Sequence, residues 1–238
     1  PQDQFILFAV DYYFRHLGKK LERILAGPGR FLKEAPNVVL RRMSWPRLPL
    51  TLHFAWKVLE VPKADRFLGG VDVFFQPAPL LLPLSPQTPR VVTFHDLVPA
   101  IYPEYFTLTS RLWHWQMNYP VRAREATRII AVSENTKGDL IRLYGINPEK
   151  VEVVYEGVDE AFREDIGKEE LAMVKQKFGL PEEFLVYVGS LEPRKNVISI
   201  VRSLRYLKEH RFDKMKLVLA GSKQWLRRPL FEEIKRLG

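Results

Sequence analysis

The chain has 238 residues, 46% hydrophobic and 27% charged, the balance of a globular protein long enough for a sizeable core. It contains no cysteine, which excludes disulfides, thiolate metal sites and a cysteine nucleophile. Its 37 Lys and Arg outweigh 28 Asp and Glu for a net charge of +9, so a partner carrying negative charge is expected. The cations are spread along the chain, and none of the signatures of a helix-turn-helix, zinc finger or RNA-binding sheet is present. That leaves a phosphorylated small molecule and an anionic membrane surface, with no nucleic acid.

In chain order, short apolar runs alternate with helical patterns. Phe5–Val10 (FILFAV), 37–40, 71–75 (VDVFF), 90–95 (RVVTFH), 128–132 (RIIAV), 151–155 (VEVVY), Phe184–Val188 (FLVYV) and Lys216–Ala220 (KLVLA) read as buried strands. The leucine-rich stretch 77–86 (PAPLLLPLSP) is too short and too rich in proline to cross a bilayer, and no apolar run is long enough to do so. Between the strands, 104–125 predicts one long aromatic helix. Residues 133–144 predict a short amphipathic helix, with Ser133 as its cap and Gly145 as its stop. Val197, Ile200, Val201, Leu204 and Leu207 recur at helical spacing in 196–210, and 228–238 predicts a final amphipathic helix. Gly157 is expected in a tight turn after the strand that starts at Val151. This alternation is that of α/β doubly wound parallel sheets. The polar, mixed-charge segment 159–168 marks a boundary, giving an N-terminal domain over residues 1–160 and the start of a second over 161–238.

The sharpest motif is Val188-Gly189-Ser190-Leu191-Glu192-Pro193-Arg194-Lys195-Asn196. A strand ends at a glycine, and two cations stand at the start of a helix. Helix N-termini favour phosphate through free N–H groups and the positive end of the dipole, and Arg194 and Lys195 would add full charges. Such a pair can also be a solvated helix start. His95 ends a strand, where it could donate to a sugar hydroxyl or simply hold a structural hydrogen bond. Asp96 would point to the other face of that strand, so no His–Asp dyad is expected. No Asp-x-Asp and no His/carboxylate cluster at metal-ligand spacing occurs.

Four segments taken together are more specific than any one: His95-Asp96-Leu97-Val98-Pro99, Ala131-Val132-Ser133-Glu134-Asn135-Thr136, Val154-Tyr155-Glu156-Gly157-Val158-Asp159 and the Gly189–Asn196 run. The set resembles the retaining glycosyltransferase family 4, in particular its mannosyltransferase-like members. Leu217–Gly221 (LVLAG), with Trp225 soon after, resembles that family's next strand and turn. The resemblance implies the GT-B fold of two Rossmann-like domains, with the acceptor on the first and the nucleotide-sugar on the second. It implies that Gly189, Ser190, Arg194, Lys195 and Asn196 hold the donor diphosphate and that His95 lies beside the transferred sugar. It also implies that Ser133 and Glu134 face the cleft and that Gly157 and Asp159 lie at the crossing between domains. No metal or other cofactor is implied; the nucleotide-sugar, GDP-mannose in this reading, is a substrate. The expected setting is the cytoplasm, or the inner face of the cell membrane if the acceptor is lipid-linked.

Ser190 stands where many members carry Arg, and Arg194 is expected to supply that charge. The family's glycine-rich acceptor loop is expected before Pro1 and its acidic E-x7-E motif after Gly238, so this segment is expected to be inactive alone. Mixed aromatics and cations at Tyr12, Tyr13, Phe14, Arg15, His16, Lys19, Lys20 and Arg23, and Trp113 and Trp115 in the aromatic helix, suit a peripheral membrane contact or a half-buried helix equally. The rival function is a non-catalytic sugar-nucleotide or membrane-binding scaffold. A third reading is another two-Rossmann enzyme, an epimerase or a phosphorylase.

Overall fold

The structure, a computed structural model, describes residues 4–10, 37–43, 55–162, 166–210, 212, 214–222 and 228–237. The aromatic and cationic segment from Tyr12 to Arg23, and Trp225, lie outside the described residues. Two compact units emerge, one of Pro1–Leu97 with Leu112–Tyr155, the other of Val98–Arg111 with Glu156–Gly238.

In the first unit, β1 (Phe5–Val10) pairs in parallel with β2 (Val38–Met43), from Phe5 opposite Val38 to Val10 opposite Met43. A second, wholly parallel sheet has the order β3 (Phe74–Gln76), β4 (Arg90–Phe94), β5 (Arg128–Ala131), β6 (Val151–Val153). Val92, Phe94, Ile129 and Ala131 on its two inner strands are fully buried. Inner parallel strands are covered on both faces, which is why their sequences read as apolar runs without alternation.

Two strands differ from their sequence patterns. β3 begins at Phe74 because Gly69 and Gly70, at φ of 85° and 93°, turn the chain just before it, and only from Phe74 onward does β4 offer backbone partners. β6 stops at Val153, beyond which Val154 and Tyr155 are exposed. The leucine-rich stretch is core: Leu81, Leu82 and Leu84 cluster with Trp56, Phe74 and Met117 near α1 (Ala64–Phe67). Each such side chain contributes about 1.5–3 kcal/mol on burial.

The single aromatic helix expected over 104–125 is broken. After a short α2 (Val98–Ile101), the chain forms α3 (Leu108–Met117) and α4 (Tyr119–Glu125). Asn118 between them sits in the left-handed region at φ 50°, which Asn tolerates better than other side chains. Pro120 then falls in the first turn of α4, where its missing N–H costs nothing. No described helix is long and apolar enough to cross a membrane.

The second unit contains α6 (Lys168–Phe178), β7 (Phe184–Val188), α7 (Val197–His210), β8 (Lys216–Ala220) and α8 (Arg228–Leu237); α5 (Glu134–Tyr144) belongs to the first. β7 and β8 pair in parallel, Phe184 opposite Lys216 through Val188 opposite Ala220. Their core is Leu191, Val197, Val201 and Leu230, joined by Tyr187, Leu217, Leu219, Phe231 and Ile234. The last two helices are also tied by charge. The Glu233 carboxylate accepts from Arg202 Nε at 2.7 Å and from Arg236 Nε at 2.9 Å. The Arg236 hydrogen bonds, then that of Arg202, bring its carboxyl from 4.5 down to about 2.

Candidate functional site

In open parallel sheets, ligands bind beyond the carboxyl ends of the strands. The candidate residues collect at two such edges, one in each unit.

At the first edge, His95 follows directly on β4 and Ser133 lies two residues past the end of β5. The exposed His95 ring donates from Nε2 to the Pro77 carbonyl at 3.1 Å, since a proline carbonyl can only accept. Ser133 caps α5, its Oγ accepting from the Thr136 N–H at 3.1 Å. Thr136, buried, donates from Oγ1 to the His95 carbonyl at 3.0 Å. One threonine thus fastens the end of β4 to the start of α5. Glu134 is the first residue of α5 and is exposed there. Gly145 closes the helix at φ 65°, its N–H reaching the Ile141 carbonyl at 3.0 Å.

An aromatic group packs around this edge. The Phe94 and Tyr119 rings meet edge-on at 6.2 Å, and His114 Nδ1 lies 2.9 Å from the Tyr119 hydroxyl. Burial lowers the His114 imidazole below its ordinary 6.5, with Asp96 opposing. Burial, reinforced by Asp96, pushes Tyr119 up to about 12. A neutral imidazole and a protonated phenol suit a bond in which Tyr119 donates. Sequence reasoning missed this pair, which exists only because the break at Asn118 swings Tyr119 back.

The second edge is made of bare backbone. The Gly189 N–H donates to the Ala220 carbonyl at 2.9 Å, and the Leu191 N–H to the Ser222 carbonyl at 3.1 Å. Gly189 has φ 153°, on the side of the map that favours glycine. A Cβ placed on Gly221 would stand 1.8 Å from the Gly189 carbonyl oxygen, so Gly221 must be glycine for the two strand ends to approach. The Tyr187 hydroxyl donates to the Ser190 carbonyl at 3.1 Å and braces the turn.

The cations differ from the expectation in one respect. Arg194 and Lys195 lie in a separate 3-10 turn, Pro193–Lys195, and not in the first turn of α7. Asn196 divides the two at φ 50° and ψ 38°. Its N–H donates to the Pro193 carbonyl at 2.9 Å, and its Oδ1 accepts from Ser199 Oγ at 2.9 Å. The break keeps both cations off the dipole that would oppose them inside the helix. Arg194 Nε lies 2.9 Å from the Glu192 carboxylate, whose side chain is only 9% exposed. Lys195 is exposed and has no charged partner among the described residues.

Gly157 and Asp159 lie in exposed irregular chain, near the Tyr155/Glu156 division. The tight turn expected at Gly157 is absent: its φ is not in the left-handed region, and a Cβ there would meet nothing within 4 Å. Among the described residues no group of three or more His, Asp or Glu could hold a metal ion.

The sequence pattern of Glycosyltransferase Family 4 matches residues 13–162 of the chain. Serotype-specific mannosyltransferase WbdA of Escherichia coli is 27% identical over 131 residues, covering 55% of this chain and 16% of that protein. D-inositol 3-phosphate glycosyltransferase of Salinispora arenicola is 36% identical over 90 residues, 36% of this chain and 20% of that one. The chain thus spans a minor part of these relatives. Anabaena Alr3699/HepE, solved with UDP and glucose, superposes with a TM-score of 0.60 at 19% identity, over 99% of this chain and 67% of that one. WaaG, a glycosyltransferase involved in lipopolysaccharide biosynthesis, gives 0.58 at 18% identity, over 100% and 67%. These superpositions establish the α/β fold of GT-B type.

Proposed function

The chain belongs to glycosyltransferase family 4, and we propose that it serves the transfer of a hexosyl group, mannose in this reading, from a nucleotide-sugar to a glycan or lipid-linked acceptor, with retention of configuration. The single observation that carries the reading is the Gly189–Gly221 strand edge leading into the Arg194–Lys195 turn, a backbone platform with two cations attached. The mannosyltransferase relatives support mannose as the sugar, and the relative solved with UDP and glucose supports a nucleotide-sugar donor.

In this proposal residues 161–238 contribute to donor binding and residues 1–160 to acceptor binding. GDP-mannose is the donor, and no metal is required. The bond between the anomeric carbon and the diphosphate lengthens first, and negative charge grows on the departing phosphate. Arg194, Lys195 and the Ser190 amide stabilise that charge in place of a metal ion. The acceptor hydroxyl attacks on the face the diphosphate is leaving, and its proton passes to the departing phosphate oxygen. His95, held by Pro77, orients a hydroxyl of the transferred sugar from the first edge, beside Ser133 and Glu134. The site of action is the cytoplasm, with peripheral contact to the inner membrane face when the acceptor is lipid-linked.

The test is a thermal-shift screen of the full-length protein against GDP-, UDP- and ADP-sugars, followed by turnover of whichever binds. Stabilisation by GDP-mannose and release of GDP are expected. Stabilisation without sugar release or transfer would leave a non-catalytic sugar-nucleotide binder. Stabilisation by none of them would sink the proposal.

A further inference from the structure

We infer that Glu192 is a positioning residue of the donor site, acting only through Arg194 and clamping that guanidinium by its inner edge so that its outer fork faces the diphosphate. The inference rests on the nucleotide-sugar reading above and adds a residue to it.

A carboxylate is an odd neighbour for a site meant to hold a diphosphate. By charge alone it repels the ligand and cancels one of the two local cations. Burying it makes matters worse, because a carboxylate out of water needs a close partner. The Glu192 side chain is 9% exposed, and Arg194 Nε lies 2.9 Å from its Oε1. Arg194 itself keeps a 33% exposed side chain.

The atom engaged matters. Arg carries one donor on Nε and four on the two terminal nitrogens, in a rigid planar fork that matches phosphate geometry. Among the described residues the only ion pair of Arg194 is made through Nε, so neither terminal nitrogen is taken up by a carboxylate there. A flexible arginine must give up several side-chain rotors to hold a phosphate, and an arginine already fixed at Nε has less to give up.

The turn is built to keep the clamp in place. Pro193, between the two charged residues, fixes its own φ. The Lys195 N–H donates to the Glu192 carbonyl at 3.1 Å, and the Asn196 N–H to the Pro193 carbonyl at 2.9 Å. Glu192 therefore acts from a braced backbone.

The two explanations of Glu192 predict opposite signs. If it is only a nearby negative charge, removing it tightens anion binding. If it positions Arg194, removing it weakens binding although the site becomes more positive. The experiment is calorimetric titration of the full-length protein with GDP and with UDP, on the unsubstituted protein, Glu192→Ala, Glu192→Gln, Arg194→Ala and the Glu192→Ala/Arg194→Ala double variant. Melting curves and steady-state kcat and KM are recorded for each. We expect Glu192→Ala to weaken the nucleotide that binds by about tenfold, the scale of one charge-assisted contact, and to lower kcat as well. Glu192→Gln, which keeps an acceptor oxygen and the side-chain volume, restores most of the loss and serves as the reference if the alanine variant melts early. In the Arg194→Ala background the Glu192 substitution costs less than about twofold, because the partner it acts through is gone. Equal or tighter binding by Glu192→Ala, or a loss that persists undiminished beside Arg194→Ala, overturns the inference. Failure of the unsubstituted protein to bind either nucleotide removes the nucleotide-sugar reading, and this inference with it.

Discussion

The carboxyl edge of β4–β5 and that of β7–β8 are the same piece of topology made from different materials. The first is built from side chains: the His95 ring on a carbonyl, the Ser133 hydroxyl on an amide, and Thr136 joining strand to helix. The second is built from backbone contact between two glycines, with an arginine and a lysine added beyond it. Side-chain hydroxyls and an imidazole can sort sugar hydroxyls by direction. Cations attract a phosphate and are indifferent to the sugar. The contrast teaches that strand order selects where a ligand goes, whereas the residues just past each strand select which ligand.

The sharpest way to break the comparison is to put a side chain where the second edge has none. Gly221→Ala must move backbone, so a loss on the order of 3 kcal/mol in chemical denaturation is expected. Gly157→Ala, with open space around it, should stay within about 0.5 kcal/mol. Equal stability of the two would show that the strand ends do not meet as described.

Charge comes next. Lys195→Ala should leave the melting temperature unchanged and weaken donor binding by about 1.5–3 kcal/mol, the worth of a bond to a charged group. His95→Ala should show the reverse pattern, lowering turnover about tenfold with little change in donor affinity. Matching profiles for the two variants would merge the edges into one function.

At the first edge, Ser133→Ala removes the cap of α5 and should cost about 1 kcal/mol, measured by thermal melting. Asn or Asp at this position should restore it. No change would mean that another group satisfies the Thr136 amide.

The smallest effect expected is one of pH on the second unit. Glu233 ionises near 4.5 when unfolded and at about 2 when folded, held by Arg236 and Arg202. A depressed carboxyl stabilises the fold above the unfolded value and loses that stability as pH falls through the folded one. Resistance of the native chain to chemical denaturation should therefore fall between about pH 4.5 and pH 2, and Glu233→Gln should flatten that slope. The two arginines are largely exposed, so high salt should shrink the difference. An unaltered slope in the variant would detach the ion-pair group from stability.

Much of this was legible in the sequence. Inner strands β4 and β5 are covered on both faces, so their runs announced themselves; β7 and β8 matched in their bounds, but Leu185, Val186 and Val188 of β7 are exposed, not buried as their apolar run predicts. The Ser133 cap and the Gly145 stop were legible because capping depends on neighbours within a few residues. The Gly189–Asn196 motif was legible as a strand, a turn and cations.

What the sequence alone determined is local: the period of the apolar residues, the caps, and the order of strands and helices, since each depends on backbone and side chains a turn or less apart. What only the tertiary structure decided is who meets whom across the chain. Nothing near Pro77 marks it as the acceptor for His95, and nothing in the aromatic run 104–125 shows that Asn118 breaks it so that Tyr119 can return to His114. Gly221 looks like any turn glycine until the Gly189 carbonyl is found against it, 32 residues up the chain. Those contacts are set by packing, which sums over the whole unit, and packing has no period to read.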